Sequence, residues 1–153
     1  MKGRLLLALF VGNVALVASY LLVRPTADDF GRVPKRLHYY FLVTASVCFL
    51  CIFSGVAALS FAPKLDDVAS YLAVSFVALY YALQIGFLPT VRLVQKNTIA
   101  RGWVPALLVA SSLPIVGLLI QSIVAEAWVA VVFLAISTIH LVVNDALVFS
   151  WKF

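Results

Sequence analysis

Charge is scarce in this chain, and carboxylates are the scarcest part of it. Only six acidic residues occur in 153, and glutamate appears once, as Glu126. Asp28, Asp29, Asp66, Asp67 and Glu126 fall between apolar stretches, and Asp145 lies close to the end of the last one. The apolar interior therefore has no pair of carboxylates for general acid–base work. Cysteine is confined to Cys48 and Cys51, so neither has a second thiol pair to exchange with. Tryptophan is limited to Trp103, Trp128 and Trp151. Long polar connections are missing too: the longest, 24–36, is too short to fold by itself.

Apolar sequence fills the space left by these absences. Hydrophobic residues make up 65% of the chain and charged ones 11%, against about 25% charged in a soluble domain. A soluble fold of this size could not hide so much apolar surface. Five stretches carry it, approximately 5–23, 37–61, 68–93, 103–122 and 127–149, with no Lys, Arg or Glu in their middles. About 20 helical residues at 1.5 Å each cross a hydrocarbon core about 30 Å thick. Within that core the backbone must satisfy its own hydrogen bonds, which makes the stretches helices. The expected fold is all-α: a polytopic membrane protein, one transmembrane domain over 1–153, built as a five-helix bundle.

The distribution of cations gives an orientation. Five crossings place Lys2, Arg4 and Lys64 on one side, and Arg24, Arg32, Lys35, Arg36, Arg92, Lys96, Arg101 and Lys152 on the other. By the positive-inside rule this predicts the N-terminus outside and the C-terminus inside. The basic side can also attract anionic headgroups. Basic residues scattered between helix ends give a nucleic-acid partner no support. Lys2 and Arg4 ahead of an apolar run, with Val17-Ala18-Ser19 after it, have the outline of a secretory signal. The run continues to Val23, however, and reads as a first transmembrane helix.

Local signals fix the connections. Pro25, Gly31 and Pro34 make 24–34 a turn-rich loop. Leu37 to Phe41, with His38, Tyr39 and Tyr40, open the second helix with an interfacial aromatic cluster. Asp66 or Asp67 can cap the third helix. Pro105 occupies a tolerated first-turn position, whereas Pro114 is mid-helix and should kink the fourth. Ala8/Gly12 and Ala15/Ser19 offer small-residue faces to a neighbouring helix. Tyr71, Tyr80 and Tyr81 suit an aromatic packing face, and Trp151-Lys152-Phe153 an interfacial anchor.

Two constellations could carry chemistry. Cys48-Phe49-Leu50-Cys51 puts two thiols on one helical face, as a redox pair requires. Apolar surroundings suppress the reactive thiolate, so two small buried hydrophobes are the expectation. The second constellation lies in the fifth helix, where His140 and Asn144 share a face one turn apart. His140 falls about 20 Å below the start of its helix and Gln84 about 24 Å below the start of the third. Thr44, Ser111 and Ser112 fall in the same half, which predicts a polar layer of Gln84, Ser111, Ser112, His140 and Asn144. Asp145 reads as an interfacial carboxylate paired with Arg92, Lys96 or Arg101. No catalytic residue, metal ligand or cofactor is implied.

Five helices in this length also describe the translocator (tryptophan-rich sensory) family, and Pro25 and Leu83-Gln84 are similar to parts of its pattern. That family carries tryptophans in its first loop and within its helices. Here all three stand at helix ends, and no membership follows. The expected function is a non-catalytic accessory or structural subunit of a larger membrane assembly. Its partners would be membrane lipids and either other membrane subunits or copies of itself. The alternatives are a small transporter, channel or hydrophobic-ligand binder using the polar layer, and third a membrane thiol oxidoreductase. Plasma, organellar and viral membranes all fit.

Overall fold

Apolar stretches that must pair their own backbone groups become helices, and the ends of those helices are set by individual residues. A computed structural model describes the backbone of residues 2–24 and 35–147; side chains at 2, 35–39, 41–42 and 144–147 lie outside that description. The helices are α1 (Lys2–Val23), α2 (Lys35–Ser60), α3 (Asp67–Gln95), α4 (Trp103–Val124) and α5 (Trp128–Ile139). A π-helical segment, His140–Leu147, continues α5. No strand occurs among the described residues. Four of the helices are long and apolar enough to cross a membrane. The fifth is apolar over Trp128–Val143 and shorter. The protein is a helical membrane bundle.

Boundaries fall within a few residues of those expected, except at the C-terminal end. There the sequence predicts one helix over 127–149, but the α-ladder gives way to π-geometry at His140. Residues 148 and 149 and the aromatic anchor at 151–153 lie outside the described residues, as does the 25–34 loop. Asp66 is the residue that caps α3, its carboxylate accepting from the Ala69 N–H at 2.7 Å. At the other end Asn97 takes a left-handed backbone (φ 54°), and the Thr98 N–H returns to the Leu93 carbonyl at 2.9 Å. Glu126 ends α4 the same way: it has φ 54°, and Ala127 N–H donates to Ser122 O at 2.8 Å. Both are the Schellman closure of a helix, which satisfies carbonyls that would otherwise be orphaned.

The helices close a ring whose spatial order is α1, α2, α5, α4, α3 and back to α1. Named contacts fix the directions. Arg4 lies against Tyr71 and Arg92 reaches the Arg24 carbonyl at 3.2 Å, so α1 and α3 are parallel. Gln84 meets Ser111 while Gly117 meets Phe76, so α3 and α4 are antiparallel. Cys48 meets Ser137 while Gly55 meets Leu134, which makes α2 and α5 antiparallel. These directions agree with a chain that crosses on each successive helix. The N-terminus, the α2–α3 loop and the α4–α5 turn then share one face, called here the N-terminal face.

Inside the ring, Tyr81 fills much of the axial space. It is 3% exposed, stacks edge-on with Tyr80 at 5.3 Å and with Phe49 of α2 at 6.5 Å. Leu5, Leu9, Ile52, Val56, Ile115, Leu118 and Leu134 complete the same core. Water is not expelled when helices pair in lipid, so this packing must work through van der Waals fit. Gly12 permits it: a Cβ there would stand 2.1 Å from the Tyr81 ring. A second cluster of Phe87, Leu88, Val91, Val104 and Leu108 joins α3 to α4 towards the opposite face.

Candidate functional site

A hydroxyl or amide placed at membrane depth must find an acceptor, and the nearest is usually a carbonyl one turn back in its own helix. Most of the described hydroxyls do this. Ser112 donates to Val109 O at 2.7 Å, Thr90 to Gly86 O at 2.8 Å, Ser122 to Leu118 O at 2.8 Å and Thr44 to Tyr40 O at 2.9 Å. Asn13 donates to Leu9 O at 2.7 Å and also contacts the Tyr81 side chain. Such bonds remove polarity from the interior without building a site.

Of the residues expected in a polar layer, the structure joins Gln84 and Ser111. The Gln84 amide donates to the Ser111 hydroxyl at 3.2 Å, and that hydroxyl donates in turn to Leu108 O at 2.8 Å. The two bonds run from α3 into the backbone of α4. Ser112, beside it, is 3% exposed and turned to its own helix. His140 is buried at the junction between α5 and the π-segment, which packs chiefly on α4. Asn144 and Asp145 lie in the π-segment, and their side chains fall outside the described residues. The pairing of Asp145 with Arg92, Lys96 or Arg101 falls there too.

Cys48 and Cys51 are buried thiols on α2. Cys48 carries a contact the sequence reading missed: its Sγ lies 3.8 Å from Ser137 O, and the Ser137 hydroxyl reaches Cys48 O at 3.4 Å. Ser137 is fully buried and donates more closely to Phe133 O, at 2.9 Å. Its position one turn before His140, in a helix whose only other hydroxyl is that of Thr138, was the available signal. Tyr71 departs from the aromatic packing face expected of it. It is 55% exposed, and its hydroxyl and ring meet the Arg4 guanidinium.

The N-terminal face holds an arrangement that the sequence reading treated as loop and turn. Lys64 of the α2–α3 loop pairs with Glu126 of the α4–α5 turn. Beneath them is a cavity of about 300 Å³, walled by Leu65, Val68, Leu72, Ile120 and Val124 and carrying Gln121. Both polar atoms of the Gln121 amide are buried and have no hydrogen-bond partner. Among the described residues, no three His, Cys, Asp or Glu side chains gather as a metal site would need.

Comparison of the chain with protein-family models, with curated proteins and with solved structures finds no match.

Proposed function

We propose that this protein is a non-catalytic membrane subunit, an accessory or structural component of a larger assembly in the bilayer. The observation that carries this reading is the fate of the polar side chains at membrane depth. Their bonds are to carbonyls of their own helices or, as at Gln84–Ser111, Cys48–Ser137 and Asn13–Tyr81, to a neighbouring helix. The bonds within a helix hide polarity, and those between helices hold the bundle together. A transport path or catalytic centre instead needs polar groups that converge on a substrate. The described charged side chains stand at helix ends and loops, as at Lys64, Glu126 and Arg92. The outer surface offers large apolar area to lipid or to partner helices, most of all on α1, where Leu7, Phe10, Val14, Val17, Leu21 and Leu22 are all exposed.

The reading also assigns an orientation, with the N-terminal face outside and the basic face inside, on the positive-inside rule. The test is chemical crosslinking in the native membrane, followed by extraction in mild detergent and mass spectrometry. A subunit co-purifies with the same membrane partners at fixed stoichiometry, with crosslinks from its lipid-facing surface. Extraction as a lone 16.7 kDa chain, whose reconstituted vesicles carry a solute or proton flux, would replace the subunit by a transporter.

A further inference from the structure

We infer that the end of the bundle opposite the N-terminal face binds anionic glycerophospholipids, through the cations Arg24, Lys96 and Arg101. This inference rests on membrane embedding and not on the subunit reading, and it holds whichever way the protein inserts. Charge is divided unevenly between the two ends. On the N-terminal face the described cations Arg4 and Lys64 stand with the carboxylates Asp66, Asp67 and Glu126. Lys64 pairs with Glu126 there, and Arg4 lies against Tyr71. The other end carries Arg24, Arg92, Lys96 and Arg101, with no carboxylate among the described side chains. Arg92 is engaged, reaching Arg24 O at 3.2 Å. The side chains of Arg24, Lys96 and Arg101 are exposed and, among the described residues, make no hydrogen bond or ion pair. Asp28, Asp29 and Asp145 share segments 25–36 and 144–153 with Arg32, Lys35, Arg36 and Lys152, so in the sequence they do not cancel the excess.

The fold gathers these cations into one rim. Arg92 ties the end of α1 to the last turn of α3, and Lys96 follows one turn on. Arg101 lies in the turn 96–102, which Ile99 pins to the cluster of Phe87, Val91 and Val104. Each free cation also stands at a helix end beside a large exposed apolar side chain. Leu22, 83% exposed, lies two residues before Arg24, Leu93 is exposed about one turn before Lys96, and Trp103, 60% exposed, follows Arg101 closely. Cations next to lipid-facing hydrocarbon match a lipid that joins an anionic head to acyl chains. An acidic peptide would meet the charges alone. The charge selects a phosphodiester without a compensating ammonium, and so disfavours phosphatidylcholine. Arg24 and Arg101 supply forked donors suited to phosphate oxygens. Trp103 adds an amphipathic ring of the kind that settles at headgroup level.

The test places the full chain in phosphatidylcholine nanodiscs with diazirine-bearing phosphatidylglycerol or, in a parallel sample, diazirine-bearing phosphatidylcholine of the same chains. Phosphatidylglycerol should label residues 20–24 and 93–103 more heavily than phosphatidylcholine does, and the two should label the N-terminal face alike. One molar salt, which cuts the screening length to about 3 Å, should remove the preference. Soluble glycerol phosphate at the same concentration should not, because it lacks the chains. A cation near the surface strengthens binding to anionic lipid about fivefold. Arg24→Gln, Lys96→Gln and Arg101→Gln should each reduce the preference by about that factor. Lys64→Gln removes the same unit of charge from the N-terminal face and should leave the preference unchanged, which separates a site from overall charge. Four outcomes overturn the inference: equal labelling by the two lipids, a preference centred on the N-terminal face, displacement by glycerol phosphate, or Lys64→Gln acting as strongly as Lys96→Gln. Equal labelling would assign the free cations to an acidic protein partner instead. The contrast between the two lipids on the parent chain decides the matter even if a variant fails to fold.

Discussion

Tyr81 gathers contacts from three helices: its own neighbour Tyr80 on α3, Gly12 and Asn13 on α1, and Phe49 on α2. Tyr81→Ala should therefore cost about 3–5 kcal/mol, the range for emptying a buried aromatic site. Tyr81→Phe, which keeps the ring, should cost nearer the about 0.6 kcal/mol typical of a polar contact between membrane helices. Unfolding of the purified protein by sodium dodecyl sulfate titration measures both. Equal losses would mean that the hydroxyl, and not the ring, holds α1. Cys48→Ala with Cys51→Ala should lower stability by about 1 kcal/mol, for two small buried deletions and one weak sulfur contact. Loss of an oxidoreductase activity at unchanged expression would instead favour the redox reading. At this scale the sequence was a partial guide. It placed Gln84 and Ser111 at similar depth, but the bond between them depends on how α3 and α4 are rotated. Gln121 was hidden because a glutamine near a helix end looks like a solvated turn residue until the loop across from it is known.

Helix α1 is held to the bundle by a narrow strip, and that strip runs through Gly12. A methyl group there would sit 2.1 Å from Tyr81 Cδ2 and 2.6 Å from its Cγ, so the ring must move or the helices must part. Gly12→Ala should destabilise by about 1–3 kcal/mol, as overpacking does. Gly86 of α3 has nothing within 4 Å of a built Cβ. Gly86→Ala should be neutral or stabilise by up to about 1 kcal/mol, through helix propensity alone. The same detergent titration separates the two, and α1 should be the first helix released in the Gly12 variant. Comparable losses at both positions would show that glycine matters here for backbone flexibility and not for close approach. Spacing alone marked both Ala8/Gly12 and Ala15/Ser19 as contact faces. Only the first is used, for Ala8 packs on the core while Ala15 is exposed. Helix ends were legible because local chemistry sets them, as Asp66 shows. The π-turn at His140 was not, since it answers to packing on α4 and leaves no mark on hydrophobic periodicity.

Across the whole molecule, the ring ties together segments that the sequence separates. The ion pair between Lys64 and Glu126 and the contact between Arg4 and Tyr71 put the first residues, the α2–α3 loop and the α4–α5 turn at one end. The turn at Lys96 and Asn97 closes α3 at the opposite end, near the Arg24 carbonyl that Arg92 holds. Positions 64 and 96 must therefore lie on opposite sides of the bilayer, whichever way the protein inserts. The expected division of cations in the sequence, three against eight, makes N-terminus out the proposed direction by the positive-inside rule. Single cysteines at Lys64 and Lys96, in a chain with Cys48 and Cys51 replaced by alanine, test both steps. Lys64→Cys breaks an ion pair in which both side chains are 57% exposed, and exposed pairs are worth at most about 1 kcal/mol, so the fold should survive it. In sealed, right-side-out membranes an impermeant maleimide should label position 64 at once and position 96 only after permeabilisation. Labelling both from outside would contradict the alternating bundle itself. Labelling position 96 alone would leave the bundle intact and reverse its orientation, with the extra cations outside against the charge rule.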